Sequence, residues 1–256
     1  MKIPVYLSLF VWLVWLTIPT AMAGGTFSYI ESSQWVYVDK VFDGDTFKTR
    51  KGIKIRLLGI NTPEIAHGSK PGQVMGIVAS KALKKWIGGK KVRLRFDRER
   101  KDRYGRTLAQ VWLSDGRWVN GMLIAEGYAH VYTFAPNFRW ADALLTLEKE
   151  SIVSKLGIWR TRRFSLISSK VIGTKHIGEF RVVDGIVGRQ LDKRGWYFNF
   201  GKLRVSVPKK YRKWFKNPPA IKHQGDRARL RGRIRVSSSG ALYLALHSPA
   251  DLMWSP

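Results

Sequence analysis

Alternating apolar and polar residues predict short β-strands in the first half of the chain. The alternation spans residues 35–47 and 53–60, and the turn-forming pairs Asp43-Gly44 and Lys51-Gly52 interrupt it. Two further strands are predicted around residues 92–96 and 108–113. Together these segments predict a small strand meander.

A helical spacing of apolar residues appears between these strands. Pro71 and Gly72 precede a run that stops at Gly88-Gly89. Its apolar residues are Val74, Ile77, Val78, Ala82, Leu83 and Trp86. Two more helices are predicted at residues 119–126 and 140–156. Strands interleaved with helices predict an α+β fold in which a small barrel packs on helices.

The pattern changes near residue 160. Residues 160–177 contain a basic triplet and a Ser-rich stretch, which predict a linker. Beyond it lie strand-like segments at residues 180–189, 196–207, 227–236 and 241–246. Residues 178–256 therefore predict a smaller all-β module, of a size that suits a five-stranded OB-like barrel.

Composition narrows the class of protein. The 256 residues include 46 Lys and Arg against 18 Asp and Glu, a formal net charge of +28, while 45% are apolar and 12% aromatic. This apolar content excludes a disordered basic tail. The charge favours a polyanionic partner, with nucleic acid first and an anionic membrane or envelope surface second. The absence of cysteine excludes thiol catalysis and Cys-based zinc sites.

The N-terminus resembles a secretory signal. Lys2 is followed by an apolar run over residues 5–18 and by Ala21-Met22-Ala23, which predicts a signal peptide at residues 1–23 cleaved after Ala23. The alternative is an uncleaved anchor, although the run is shorter than the ~20 residues that a spanning helix needs. We expect a secreted or periplasmic protein with no stable membrane insertion after cleavage.

Three short segments concentrate chemically useful residues: Asp-Gly-Asp-Thr at 43–46, Arg-Leu-Leu-Gly-Ile-Asn-Thr-Pro-Glu at 56–64, and Asp-Arg-Tyr-Gly-Arg at 102–106. Each alone is typical of a turn or a charged loop. Together they supply oxygen ligands for a hard cation, a carboxylate that can act as a base, and arginines that can hold a phosphate. This combination is what hydrolysis of a phosphodiester bond requires.

In order, spacing and identity, the three segments resemble the staphylococcal nuclease (thermonuclease) family, over about residues 35–159, and we assign residues 34–159 to this domain. The resemblance implies a five-stranded OB-type barrel with three helices. It also implies hydrolysis of DNA and RNA that depends on one Ca²⁺ ion and leaves 3′-phosphate ends, although other divalent ions stay possible.

The resemblance also implies roles for individual residues. The implied metal ligands are Asp45, Asn61 and the carbonyl of Thr62. The implied catalytic residues are Arg56, Glu64 and Arg106. Tyr104 and Tyr132 are the implied substrate contacts, although Phe134 stands where a second Tyr is expected.

Asn61 departs from the family pattern, in which an acidic ligand is usual. An amide keeps the oxygen but loses the charge, so we expect weaker Ca²⁺ binding, with Asp43 and Glu64 as the remaining nearby carboxylates.

Arginines alternate with mostly apolar residues at positions 227–236 of the C-terminal module. In a strand, this pattern places five guanidinium groups on one face. We expect Arg229, Arg231 and Arg233 to contact nucleic-acid phosphates, and an aromatic residue of the 196–200 segment to stack on bases. The alternative is a solvated strand face.

These observations predict a secreted, metal-dependent endonuclease that acts on DNA and RNA, with residues 178–256 adding affinity for nucleic acid and the chain acting as a monomer. The alternative is a non-catalytic basic protein that binds nucleic acid or anionic envelope polymers.

Overall fold

A computed structural model describes residues 33–69 and 71–254, so the predicted signal peptide lies outside the described residues. We call residues 33–160 the barrel region and residues 161–254 the C-terminal region. The elements of the barrel region are, in chain order, β1 (Ser33–Val41), β2 (Thr46–Thr49), β3 (Lys54–Leu57), β4 (Ile60–Asn61), α1 (Gly76–Ile87), β5 (Lys91–Arg95), β6 (Thr107–Trp112), α2 (Val119–Ala125), β7 (His130–Val131) and α3 (Ala141–Val153).

Strands β1, β2, β3, β6 and β5 close into a five-stranded barrel in that order. β1 pairs antiparallel with both β2 and β5, whereas β3 and β6 run parallel. Alternate residues such as Val36 and Val38 in β1, and Val92 and Leu94 in β5, are buried in the barrel core. The structure confirms the predicted α+β class, the closed OB-type barrel and its three helices.

The buried face of α1 differs from the face that the apolar spacing predicts. Ala79, Leu83 and Ile87 are fully buried, but Ile77 and Val78 are exposed. The buried face combines the small residues Gly76 and Ala79, which let the first turns of the helix approach the barrel closely, with Leu83 and Ile87 further along.

The C-terminal region is rich in β-structure, as predicted. Its elements are β8 (Ile167–Ser168), β9 (Phe180–Ile186), β10 (Tyr197–Phe200), β11 (Leu203–Ser206), α4 (Pro219–Lys222), β12 (Arg227–Arg233), β13 (Arg235–Val236), β14 (Leu242–Ala245) and β15 (Leu252–Trp254). They form two four-stranded sheets, ordered β10-β11-β14-β13 and β15-β12-β9-β8. The 196–207 segment is a hairpin of β10 and β11 rather than one strand.

The segment predicted as a linker is packed against the C-terminal region. β8 pairs parallel with β9, and the side chains of Phe164 and Ile172 are buried. A small core joins the two regions and contains Ile158, Trp159, Phe164 and Val182. The described residues of the two regions belong to one compact unit, so the division into two domains stays a prediction.

The helices in the described part of the chain are all too short or too polar to cross a membrane.

Candidate active site

A tight turn between β1 and β2 presents two carboxylates. Asp43 Oδ1 accepts a hydrogen bond from the backbone N–H of Asp45 at 2.9 Å, which holds the turn closed. Gly44 lies between them, and a Cβ there would come within 2.7 Å of Thr62 Oγ1 and 2.8 Å of Ala79 Cβ. Glycine therefore lets this turn sit directly against the segment that follows β4.

Asp45 is buried at the centre of the site. Its Oδ2 accepts hydrogen bonds from the backbone N–H of Thr62 at 2.9 Å and from Thr62 Oγ1 at 3.1 Å. The same oxygen lies 3.1 Å from Arg56 Nη2. These contacts join two motifs that are about 15 residues apart in the chain, because β2 and β3 are antiparallel neighbours.

Arg56 is held by acceptors on several sides. Its Nη1 donates to the carbonyl oxygens of Leu57 at 2.6 Å and Ile60 at 2.9 Å, and its Nη2 donates to Asn61 Oδ1 at 2.9 Å. About an eighth of the side chain (12%) stays exposed. The guanidinium is thus a fixed positive charge at the surface of the site, since its orientation is set before any ligand arrives.

Asn61 lies in contact with the other predicted ligands. Its Nδ2 donates to the carbonyl oxygen of Thr62 at 3.0 Å, and its Oδ1 accepts from Arg56. Asn61 Oδ1 and the carbonyl oxygen of Thr62 are the two neutral metal ligands that the family resemblance implies. Both therefore already accept hydrogen bonds from neighbouring side chains.

The charge of Asp45 affects the pKa of Asp43, its neighbour in the turn. Burial, and then the nearby charge of Asp45, raise the pKa of Asp43 from 3.8 to about 6. A cation placed between them would relieve this repulsion, and the surrounding donors are oxygens, which hard divalent cations prefer. Among residues 33–69 and 71–254, no group of three or more His, Cys, Asp and Glu side chains is arranged to hold a metal ion. Two carboxylates beside an amide and a carbonyl oxygen are a donor set of the kind that suits a hard divalent cation.

Glu64 lies on the exposed loop between β4 and α1. Its carbonyl oxygen accepts the backbone N–H of Gln73 at 2.8 Å, and the carbonyl also contacts Gly76 so closely that a Cβ there would overlap it. The backbone of Glu64 is thus fixed by the start of α1, while its side chain points to solvent, where a substrate can reach it.

Arg106 lies on the loop that leads into β6. In the parallel register of β3 and β6, Arg56 pairs with Leu108, so Arg106 lies just before the strand that neighbours Arg56, two residues from its partner. Its Nε donates to Asp102 Oδ2 at 2.7 Å. Partial burial alone would raise the pKa of Asp102, but hydrogen bonds from Arg106 and Tyr104 lower it. Asp102 therefore stays ionised and orients Arg106.

The two predicted aromatic contacts, Tyr104 and Tyr132, lie on different segments of the barrel region. Tyr104 is 68% exposed, and the Cζ of Arg106 lies 5.6 Å from its ring centre. Tyr132 follows β7, which pairs antiparallel with β4, and its N–H donates to the carbonyl oxygen of Gly59 at 2.9 Å. Burial raises the pKa of Tyr132, while Arg233 and Arg56 act in the opposite direction.

The arginines of β12 do not form one phosphate-binding face, which corrects the expectation from their alternation. Arg231 is 1% exposed and pairs with Glu148 of α3 at 2.6 Å, so it is closed to a substrate. Arg227 and Arg229 both face Asp184 of β9, at 2.7 and 3.7 Å. Arg233 is exposed, and its positive charge acts to lower the pKa of Tyr132. It is therefore the member of the predicted set that lies towards the site.

Sequence reasoning gave His247 no role, although it lies beside the aromatic residues near Tyr132. The charges of Arg235 and Lys210 both lower the pKa of His247, which burial lowers first, to about 4. The His247 ring stacks on Phe134, with centroids 5.5 Å apart. No sequence signal connects these positions, because the tertiary fold alone brings the C-terminal region beside Phe134.

The chain is thus an α+β protein with a closed barrel, and its candidate site combines two carboxylates of one turn with two oriented guanidinium groups. A family model described as "Staphylococcal nuclease homologue" matches residues 54–161. The chain is 40% identical over 125 residues to a thermonuclease of Staphylococcus intermedius, covering 48% of this chain and 74% of that protein. It is 37% identical over 131 residues to a thermonuclease of Staphylococcus hyicus, covering 50% of this chain and 77% of that protein.

A third relative, endonuclease YncB of Bacillus subtilis, is 38% identical over 129 residues, covering 48% of this chain and 61% of that protein. The chain therefore belongs to the staphylococcal nuclease family, and the predicted family resemblance is confirmed.

Proposed function

We propose that this protein is a metal-dependent endonuclease that hydrolyses phosphodiester bonds in DNA and RNA. The observation that carries the proposal is the direct contact of Asp45, Arg56, Asn61 and Thr62, with Glu64 and Arg106 on adjoining segments. The names of the relatives, two thermonucleases and an endonuclease, support the same activity.

Glu64 is the proposed general base. Its exposed carboxylate takes a proton from a water molecule as that water attacks phosphorus. The bond from phosphorus to the 5′ oxygen breaks, and this oxygen leaves with the bonding electrons and takes a proton from solvent. The products then carry a 5′-hydroxyl and a 3′-phosphate.

Arg56 and Arg106 are the proposed phosphate ligands. Negative charge builds on the equatorial oxygens in the transition state, and guanidinium groups that are already oriented stabilise it without reorganising. Arg106 is oriented by Asp102, and Arg56 by Asp45 and Asn61. Tyr104 and Tyr132 are the proposed contacts to the nucleotide beside these charges.

Asp45, Asn61 and the carbonyl of Thr62 are the proposed ligands of one Ca²⁺ ion, with Asp43 beside them. When bound, the ion neutralises charge on the phosphate and on the carboxylates. Export through the predicted signal peptide at residues 1–23, which places the enzyme in the periplasm or the medium, and action as a monomer are parts of the same proposal.

The test is cleavage of plasmid, denatured DNA and RNA by the purified chain, with Ca²⁺ or with chelator, beside Glu64→Gln. Glu150→Gln is the matched control, because Glu150 is an exposed glutamate on α3, away from the site. We expect Ca²⁺-dependent cleavage that Glu64→Gln abolishes and Glu150→Gln preserves. Retardation of DNA without cleavage, under any divalent ion, would favour the non-catalytic binding protein instead.

A further inference from the structure

The sheet β10-β11-β14-β13 has one buried face and one open face. Phe198, Val205 and Leu244 point into the C-terminal core and are fully buried. Tyr197, Arg204 and Tyr243 alternate with them and therefore lie on the other face. Strand pairing sets Arg204 and Arg235 directly opposite Tyr243, on either side of it.

This open face has the chemistry of a polyanion site. Its four strands contain no Asp or Glu. Among the described residues, neither Arg204 nor Arg235 forms an ion pair with an acid. A shallow cavity of about 270 Å³ lies on the face, lined by Tyr197, Arg204, Ser237, Ala241 and Tyr243. The two tyrosines are suited to stack on bases. The two arginines, which no acidic side chain of the described residues neutralises, are suited to contact phosphates.

The same face continues towards the candidate active site. The N–H of Leu246 donates to the carbonyl of Ser206, so the strand conformation of β14 extends beyond Ala245. Residues 243, 245 and 247 are each partly exposed, whereas the residues between them are buried. His247 thus shares the face of Tyr243, about 14 Å away at a rise of about 3.4 Å per residue.

Aromatic contacts complete the connection from His247 to the site. Its ring stacks on Phe134 with centroids 5.5 Å apart, and Phe134 meets Tyr132 edge to face at 4.7 Å. Tyr211 lies 5.0 Å from His247 on another side, with Lys210 4.8 Å above the Tyr211 ring. A surface of aromatic and basic side chains therefore leads from Tyr132 through Phe134 and His247, whose rings are in contact, to Tyr243 and Tyr197 on the sheet. We call it the aromatic track.

We propose that the aromatic track binds single-stranded nucleic acid that extends from the active site across the C-terminal sheet. Tyr243 and Tyr197 stack on bases, while Arg204 and Arg235 contact phosphates. A four-stranded sheet with exposed aromatic residues accommodates about two or three bases in this way. This inference rests on the proposed nuclease function, because it makes the occupant of the track the same strand that the active site cuts.

The experiment measures binding of the full chain to a labelled oligothymidine of about 12 nucleotides in chelator, with gels confirming that the strand stays intact. An abasic strand of equal length carries the same phosphates without bases. We expect Tyr243→Leu to weaken oligothymidine binding at least about fivefold, from the worth of one stacked base, and to leave abasic binding unchanged.

The double variant Arg204→Ala/Arg235→Ala tests the phosphate contacts. We expect it to reduce the slope of log affinity against log salt by about 1.4, because each phosphate contact to a single strand contributes about 0.7. Arg227→Ala is the matched control, since this exposed arginine is on the other sheet and is already neutralised by Asp184. It should leave the slope unchanged.

Equal slopes for the double variant and the wild type, or equal affinities for thymidine and abasic strands, would overturn the inference and leave the nuclease proposal standing. Conversely, a chain that binds through Arg204 and Tyr243 but cleaves no nucleic acid would overturn the proposed function and leave the aromatic track intact.

Discussion

Arg231 of β12 and Glu148 of α3 form an ion pair of 2.6 Å in which each side chain is 1% exposed. The second carboxylate oxygen, Glu148 Oε1, accepts the backbone N–H of Val131 at 2.6 Å. Val131 pairs with Ile60, the residue before Asn61. A single buried carboxylate thus connects the C-terminal region to the strand that carries the candidate site.

Removing one partner of this pair should destabilise the whole chain. We expect Arg231→Met to lower the free energy of unfolding by about 3–5 kcal/mol, because it leaves a buried charge uncompensated. Urea denaturation measures this. Arg227→Ala, which breaks an exposed pair with Asp184, should cost far less, because water and salt screen that pair. Equal losses for the two variants would contradict the assignment of Arg231 to a buried structural role.

The double variant Glu148→Leu/Arg231→Met tests whether the loss of stability comes from an unpaired buried charge or from altered packing. It removes both charges, so it should recover part of the stability that Arg231→Met loses. It should not reach the wild type, since the N–H of Val131 also loses its acceptor.

Asp251 should make stability depend on pH. Its carboxylate is almost fully buried, which raises its pKa from 3.8 to about 7, although N–H groups of His247 and Ser248 hydrogen-bond to it. The folded chain holds this proton after the unfolded chain has released it. This contribution is therefore complete below about pH 4 and is lost as the pH rises through about 7, by up to about 4 kcal/mol.

Urea denaturation of wild type and Asp251→Asn across this pH range tests the sign. The stability of the wild type relative to Asp251→Asn should fall as the pH rises. A difference that stays constant from about pH 4 to about pH 8 would show that Asp251 titrates normally.

Asn61→Asp should tighten Ca²⁺ binding. The variant adds a ligand charge, and it also removes the Nδ2 group that donates to the Thr62 carbonyl. Calorimetric titration measures the affinity, with Asn217→Asp as a control that adds the same charge at an exposed position in the C-terminal region. Equal Ca²⁺ affinities for wild type and Asn61→Asp would exclude position 61 from the metal site.

Arg106→Lys should impair catalysis and leave the fold intact. Lysine keeps the charge but loses the planar pair of donors, so kcat should fall about 100-fold or more if Arg106 stabilises the transition state. Initial rates on denatured DNA measure this. Arg117→Lys is the matched control, because Arg117 also bonds a nearby aspartate through Nε, at 2.9 Å, but lies in an exposed turn. A comparable loss in both variants would point to a general effect of charge geometry.

The barrel strands were predictable from sequence because their signal is local. Alternation of apolar residues sets which side of β1 and β5 is buried. Short motifs placed Asp45, Arg56 and Glu64 in the order that the family uses. The positions of α1, α2 and α3 followed from helical periodicity, with ends displaced by a few residues.

The tertiary structure decided which face of each helix or strand packs against a neighbouring helix or strand. In α1, small residues allow close approach, so Ala79 is buried and Ile77 is exposed. In β12, the alternation of arginines is real, but α3 covers Arg231 and β9 supplies Asp184 to its neighbours. Alternation in the sequence shows which residues share a face of a strand. It does not show which other part of the protein covers that face.

The sequence by itself determined the family and the class of fold, because these depend on local pattern and on motif order, and it predicted the residues of the candidate site. Only the tertiary structure decided that Asp45 bonds to Thr62, that Arg231 is structural, and that the rings of His247, Phe134 and Tyr132 are in contact. These relations join residues that are far apart in the chain, and packing and long-range hydrogen bonds, rather than local preference, bring such residues together.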